Sequence, residues 1–300
     1  MMKDDKSQII DKVTIVGGTH GNEYIGPYFV RKAEQVGIYQ DNAIEVSTLL
    51  ANPEAFAQAK RFIDQDLNRS FSPHILTGTQ SQHECQLARV ISRHFSQRLS
   101  QDEPGQHFII DLHSTTANMG ITLIVRNNEP LNLRSAAYVQ KNMPEARILL
   151  SDMDRVQHQS LNSISRFGIV IEVGPLPNAV LRHDLFEATE KVVELVVKFL
   201  TLSKTREEPK LPEEVTVFKF REKVPYPRDG EGDLTAMVHK DLQDRDYRLL
   251  EANHPIFMTF QGDEIRYSGE PGHPVFINEA AYYLEDTAFI ITDRVGVSLK

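Results

Sequence analysis

Cysteine occurs once in the 300 residues, at position 85, so the chain has no intrachain disulfide and no thiolate cluster to hold a metal. Any metal must therefore be bound by histidine and carboxylate. Cys85 lies in a helix-like stretch with no neighbouring base in sequence and is expected to be an ordinary packed thiol. No run of about 20 apolar residues occurs, which argues against a membrane-spanning helix. Basic excess is also missing: the formal net charge is -9 and the sequence pI about 5.7, without the stripe of Lys and Arg that a nucleic-acid partner requires. The first eight residues are polar and lead straight into an apolar run, so no secretory signal is expected, and with disulfides excluded a cytoplasmic location follows. Internal repeats, low-complexity tracts, the G-x-G-x-x-G dinucleotide turn and the His-Glu-x-x-His zinc helix are all absent.

What is present is a chain with 40% hydrophobic residues, enough for a large core and, at this length, for two domains. Short β-branched runs at 13–16, 45–50, 108–112, 121–125, 147–150 and 168–173 alternate with helical patterns at 25–35, 84–100, 132–141 and 181–202. This alternation predicts an α/β domain whose strands are largely buried. Charge and two prolines within 201–212 read as a linker. Beyond it, runs at 215–220, 255–260, 273–277 and 288–292, separated by Gly, Pro and Asp, predict a smaller β-rich domain. The expected division is 1–205 and 206–300.

Ligands of open α/β sheets collect beyond the carboxyl ends of the strands. His20, His113 and Glu172 each fall at or just after such an end, and Gly17, Gly18 and Gly21 permit the sharp exit that would bring His20 and Glu23 together. Two imidazoles and a carboxylate, His20, Glu23 and His113, are the donor set of an open, catalytic zinc site. Asp111, two residues before His113, points to the same side of an extended strand and is placed to accept the spare imidazole N–H. The other nine histidines, His158 among them, are expected to be structural or exposed.

Five ordered segments carry a resemblance: Gly17-Gly-Thr-His-Gly-Asn-Glu23, Asp66-Leu-Asn-Arg69, Asp111-Leu-His-Ser-Thr-Thr116 with Asn118-Met-Gly120, Ile171-Glu-Val-Gly-Pro175 and Asn278-Glu-Ala-Ala-Tyr282. In these the chain resembles the aspartoacylase and aminoacylase-3 group of the succinylglutamate desuccinylase/aspartoacylase family, relatives of zinc carboxypeptidases. The resemblance implies a zinc-carboxypeptidase-like mixed sheet flanked by helices, with the β-rich C-terminal domain covering the substrate pocket. It implies one zinc per subunit on His20, Glu23 and His113, with Glu172 as general base and Arg61 polarising the scissile carbonyl. Asn68 and Arg69 would hold the α-carboxylate of a small N-acyl amino acid, most readily N-acetyl-L-aspartate, Asp66 would orient Arg61 or a ligand, and Tyr282 would touch substrate.

One position departs from the resemblance. Animal aspartoacylases carry an arginine about ten residues before the catalytic glutamate that reads the substrate's side-chain carboxylate, and the register here places Asn162 there, with Arg166 nearby. An amide does not replace a bidentate guanidinium. Deacylation of other N-acyl amino acids, succinylglutamate desuccinylase or carboxypeptidase chemistry, and a silent metal-binding scaffold stay open as alternatives. So do the acyl group and the assembly of a homo-oligomer.

Overall fold

The runs that read as strands are apolar at nearly every position because both of their faces are covered, as in the interior of an α/β sheet. The structure, a computed structural model, describes residues 9–37, 39, 42–98, 107–126, 129–151 and 159–299. In chain order the elements are β1 (Lys12–Gly17), α1 (Ile25–Val36), β2 (Glu45–Leu50), α2 (Pro53–Ala57), α3 (Pro73–Thr77), α4 (His83–Arg98), β3 (His107–Ser114), β4 (Gly120–Val125), α5 (Pro130–Asn142), β5 (Arg147–Leu150), β6 (Phe167–Gly174) and α6 (His183–Lys204). The remainder is strand: β7 (Glu214–Val224), β8 (Ala236–Val238), β9 (Pro255–Thr259), β10 (Glu264–Arg266), β11 (His273–Val275) and β12 (Phe289–Ser298). Short 3-10 turns occupy Leu67–Arg69, Leu161–Ile164 and Ala280–Glu285.

Among the described residues nine strands form one mixed sheet in the order β11-β12-β7-β5-β4-β6-β3-β1-β2, and β10-β9-β8 form a second. Strands β2, β1, β3 and β6 are mutually parallel, so the loops after β1, β3 and β6 leave the same edge. Strand β4 runs antiparallel to β6 and parallel to β5. The sheet thus changes direction beside Glu172, and α/β sheets open a crevice where connectivity switches.

Alternate residues divide the sheet into two faces. On one, Val13, Ile15, Ile110, Leu112, Ile169 and Ile171 pack against α1, α5 and α6 in the main core. Phe108, Ile110 and Phe199 there are fully buried, each worth roughly 1.5–3 kcal/mol. On the other face Val16 and Ile109 meet α4, while Ile124, Val170 and Leu149 meet Phe276 and Ile290 from the C-terminal segment. Asp111 and His113, in step with Ile109 on β3, belong to this second face.

The chain after residue 205 is less separate than its composition suggests. Helix α6 continues to Lys204, and β7 then pairs with β5 in the main sheet, followed by β12 and β11. No described helix is long and apolar enough to cross a membrane. Cys85 is buried, and that burial pushes its thiol pKa up, as suits a packed side chain. His158, residues 1–8 and the last two residues of the helix expected over 84–100 lie outside the described residues.

Candidate metal centre and substrate cavity

Strand β1 ends at Gly17 and turns at Gly18, whose φ of 74° is a left-handed conformation that glycine adopts at little cost. The turn continues through Thr19 to His20 and passes so close to α2 that a Cβ on Gly21 would sit 2.2 Å from the Ala55 carbonyl carbon. Asn52 holds α2 in place: its side chain caps the helix at the Ala55 N–H, and its own N–H donates to the Gly18 carbonyl. The turn returns His20 and Glu23 to the carboxyl end of the neighbouring strand β3, where His113 lies directly beside Glu172 of β6.

His20, Glu23 and His113 are all buried, and one donor atom from each lies within 4.8 Å of the others. The Nδ1 atoms of the two rings are 3.2 Å apart. Both face Glu23, at 2.6 Å from His20 and 2.9 Å from His113. The opposite ring nitrogens each approach a carboxylate: His20 Nε2 is 3.0 Å from Asp66 Oδ1. His113 Nε2 is 3.0 Å from Asp111 Oδ2, close but not aligned as a hydrogen bond. Carboxylates at Nε2 favour the tautomer protonated there, which turns both Nδ1 lone pairs toward the Glu23 carboxylate. In the metal-free protein positive charge is supplied by ring protons: against its burial, Asp111 and Glu23 raise the His113 pKa well above its ordinary value. A divalent metal such as zinc would take their place, and a nitrogen and oxygen set of this kind suits it.

The electrostatics agree with an ionised ligand set. Burial alone would raise the Glu23 carboxyl, but His20 and His113 outweigh it and hold the group far below the usual carboxylate range. Asp66 is likewise held down against its burial, by His20 and then Arg61. Asp66 bridges the two: Oδ1 takes His20, and Oδ2 accepts Arg61 Nε at 3.1 Å and Nη2 at 3.0 Å. Arg61 Nη1 also donates to Glu23 at 3.0 Å. The loop that carries Arg61 and Asp66 is fixed by a buried glutamate that the sequence did not mark. Glu84, at the start of α4, accepts the backbone N–H groups of Ile63, Asp64 and Gln65.

Glu172, beside His113 on the next strand, is held under different conditions. It is 8% exposed, and its carboxyl has no hydrogen bond among the described residues. Burial pushes its pKa up to about 8, with Glu23 and Glu279 adding to the rise and His113 and Arg61 opposing it. Asn68 accepts the Leu161 N–H on its side-chain oxygen at 2.9 Å, which leaves the amide NH2 as its donor end. Arg69 reaches Glu285 at 2.7 Å on the rim. Tyr282 packs on Phe276 with ring centroids 5.2 Å apart. All of these groups line one cavity of about 350 Å³ together with His20, Glu23, Arg61 and His113.

The family model for the succinylglutamate desuccinylase/aspartoacylase catalytic domain matches residues 9–200, and that for the AstE/AspA barrel-sandwich hybrid domain matches 213–294. The chain belongs to this family. It is 38% identical to a probable aspartoacylase of Acaryochloris marina, over 97% of this chain and 98% of that one. It is 36% identical to the N-acyl-aromatic-L-amino acid amidohydrolase (carboxylate-forming) of Mus musculus, over 96% and 92%. The crystal structure of murine aminoacylase 3 superposes with a TM-score of 0.89 at 36% identity, covering 97% of each chain. The chain is thus a hydrolase of the N-acyl amino acid type, with the mixed α/β fold and C-terminal barrel-sandwich domain of this family.

Within this family framework, eight of the nine expected site residues line the cavity, and Asn162 does not. Its segment is not extended: residues 161–164 form a 3-10 turn that buries the Asn162 amide away from the cavity, while Gln159 and Ser160 reach it instead. Arg166 is not a substitute, because it pairs with Glu129 at 2.7 and 2.8 Å. Glu279 and Arg126 are among the lining residues that the sequence reading did not mark. Glu279 accepts from the Thr115 hydroxyl and from Thr116 and Ala117 N–H groups, tying the loop after His113 to the C-terminal segment. Its signal was the Asn278-Glu-Ala-Ala-Tyr282 segment. Arg126 follows the apolar run 121–125, where a lone arginine reads as an ordinary strand end.

Proposed function

We propose that this chain is a zinc-dependent amidohydrolase that cleaves the amide bond of N-acyl amino acids, N-acetyl-L-aspartate first among them, to a carboxylate and a free amino acid. The observation that carries the reading is the meeting, in one cavity, of a converging His20-Glu23-His113 set, a buried Glu172 whose carboxyl has no hydrogen bond among the described residues, and the Asn68-Arg69 pair. Zinc held by His20, Glu23 and His113 would supply Lewis acidity and make water a nucleophile near neutral pH.

The protein groups divide the remaining work. Glu172, poised near neutrality and without a side-chain hydrogen bond among the described residues, takes the proton of the attacking water and delivers it to the leaving amine nitrogen. Arg61, locked by Asp66 and Glu23, offers its remaining N–H groups to the carbonyl oxygen as that oxygen gains charge. The Asn68 amide and the Arg69 guanidinium bind the α-carboxylate. Tyr282 and the loop held by Glu279 close the C-terminal side of the cavity, which favours small N-acyl substrates over peptides.

A second reading, turnover of N-acyl aromatic amino acids, is supported by the apolar wall that Phe220, Phe276, Ile124 and Ile290 add to the cavity. A panel assay on metal-quantified protein separates the two. The proposal expects N-acetyl-L-aspartate to give the highest kcat/KM among N-acetylated acidic, aliphatic and aromatic amino acids. A higher value for N-acetyl-L-phenylalanine favours the second reading, and no hydrolysis of any member by zinc-loaded protein overturns both.

A further inference from the structure

The cavity extends well past Glu172. Because β4 runs antiparallel to β6, Thr122 lies beside Glu172 and Ile124 beside Val170. One more step along the same face reaches Arg126, just past the end of β4. Glu172, Val170, Ile124 and Arg126 all line the cavity, so it is a trough along the second face of the sheet. Four residues at about 3.3 Å each separate the level of Glu172 from that of Arg126 by about 13 Å of strand.

The trough changes character along its length. Near the metal ligands it is charged: Arg61 pairs with Asp66 and Glu23, Arg69 with Glu285, and Glu279 accepts from the 115–117 loop. Midway it is apolar, floored by Val170 and Ile124 and walled by Phe220 and Ile290. At the far end stands a partly buried guanidinium, Arg126, next to Ser151, the residue after the Val125–Leu150 pair. Burial lowers the Arg126 pKa, Tyr282 opposes, and the Arg69 guanidinium lowers it further. An anion in this part of the cavity would be attracted by both guanidiniums.

We infer that Arg126 is the specificity residue of this site and reads a second carboxylate on the substrate, remote from the α-carboxylate held at Arg69. The inference rests on the deacylase reading above. It moves the side-chain reader from the segment before Glu172, where Asn162 is turned away, to the end of β4. A guanidinium matches a carboxylate through two parallel N–H donors, and the apolar stretch before it accepts the intervening methylenes. The second carboxylate can belong to an acidic amino-acid side chain or to a dicarboxylic acyl group.

Four substrates distinguish these sources: N-acetyl-L-aspartate, N-acetyl-L-glutamate, N-succinyl-L-leucine and N-acetyl-L-leucine, each with wild type, Arg126→Gln and Arg126→Lys. Preference for the first two over N-acetyl-L-leucine assigns the carboxylate to the side chain, and preference for the third assigns it to the acyl group. Arg126→Gln is expected to cut kcat/KM on the preferred dianion about 100-fold, chiefly through KM. Its turnover of N-acetyl-L-leucine should stay within about threefold of wild type, which also shows that the variant is folded. Arg126→Lys should recover part of the loss, since it restores charge without the fork. Equal losses on all four substrates, or an unchanged dianion preference in Arg126→Gln, overturn the inference while leaving the deacylase reading intact. A wild-type protein that prefers N-acetyl-L-leucine also overturns it, and one that cleaves none of the four removes the deacylase reading and the inference together.

Discussion

Glu23 and Glu172 line one cavity and are almost equally buried, at 5% and 8% exposure, yet their carboxyl groups are driven in opposite directions. Glu23 is surrounded by His20, His113 and Arg61 and stays ionised well below the usual range. Glu172 lies on a strand flanked by β-branched residues, with no hydrogen bond to its carboxyl among the described residues, and is pushed up to about 8. Burial does not decide what a carboxylate does; its partners do. On the proposed reading the paired wall holds a cation and the unpaired wall passes a proton.

Removing one member of the paired wall has the largest expected effect. His113→Ala should lose both metal and turnover, because two donors remain and Glu23 is left underpaired; stoichiometric zinc in that variant would contradict the ligand assignment. Changing the unpaired wall should separate the two properties. Glu172→Gln is expected to keep about one zinc per chain while kcat falls about 100- to 10,000-fold. Near-normal turnover would remove Glu172 from proton transfer. Arg69→Gln, on the rim, should mainly raise KM, by about tenfold, as fits a partly exposed charge pair. An effect confined to kcat would place Arg69 at the reacting atoms instead.

The smallest effect is on stability, and it sharpens the comparison most finely. In the metal-free protein Glu172 carries its proton up to about pH 8 against an ordinary value of 4.5. Its contribution to stability is therefore complete below pH 4.5 and lost as the pH rises through 8. Asp66 has the opposite sign: held below its ordinary 3.8, it stabilises above that value and loses the contribution as the pH falls. Urea midpoints of metal-free protein should fall between pH 5 and 8, and Glu172→Gln should flatten that fall. A midpoint that rises over this interval and is unaltered by the substitution would show that Glu172 is ionised throughout.

The paired wall was legible in the sequence because its information is local. A glycine turn after a strand, a His-x-x-Glu pair and an Asp-x-His strand end each specify geometry within a few residues. The order of strands was less legible, since β7, β11 and β12 read as a separate unit but hydrogen-bond into the main sheet, a pairing fixed only by tertiary contact. Asn162 was placed by its register before Glu172, and register does not show which way a side chain faces: residues 161–164 curl into a 3-10 turn. Arg126 was invisible because the face it shares with Glu172 depends on β4 being antiparallel to β6, which neither strand's own sequence encodes. Glu84 and Glu279 escaped notice because they act on backbone N–H groups of distant loops.

The central claim, that this chain hydrolyses N-acyl amino acids at a zinc site formed by His20, Glu23 and His113, is tested most directly by metal titration. Zinc is added back to chelated wild-type protein while hydrolysis of N-acetyl-L-aspartate is followed. The expected result is a rate near zero without metal that rises linearly and saturates at about one zinc per chain. Full activity in the metal-free protein, or no hydrolysis with zinc stoichiometrically bound, would contradict it.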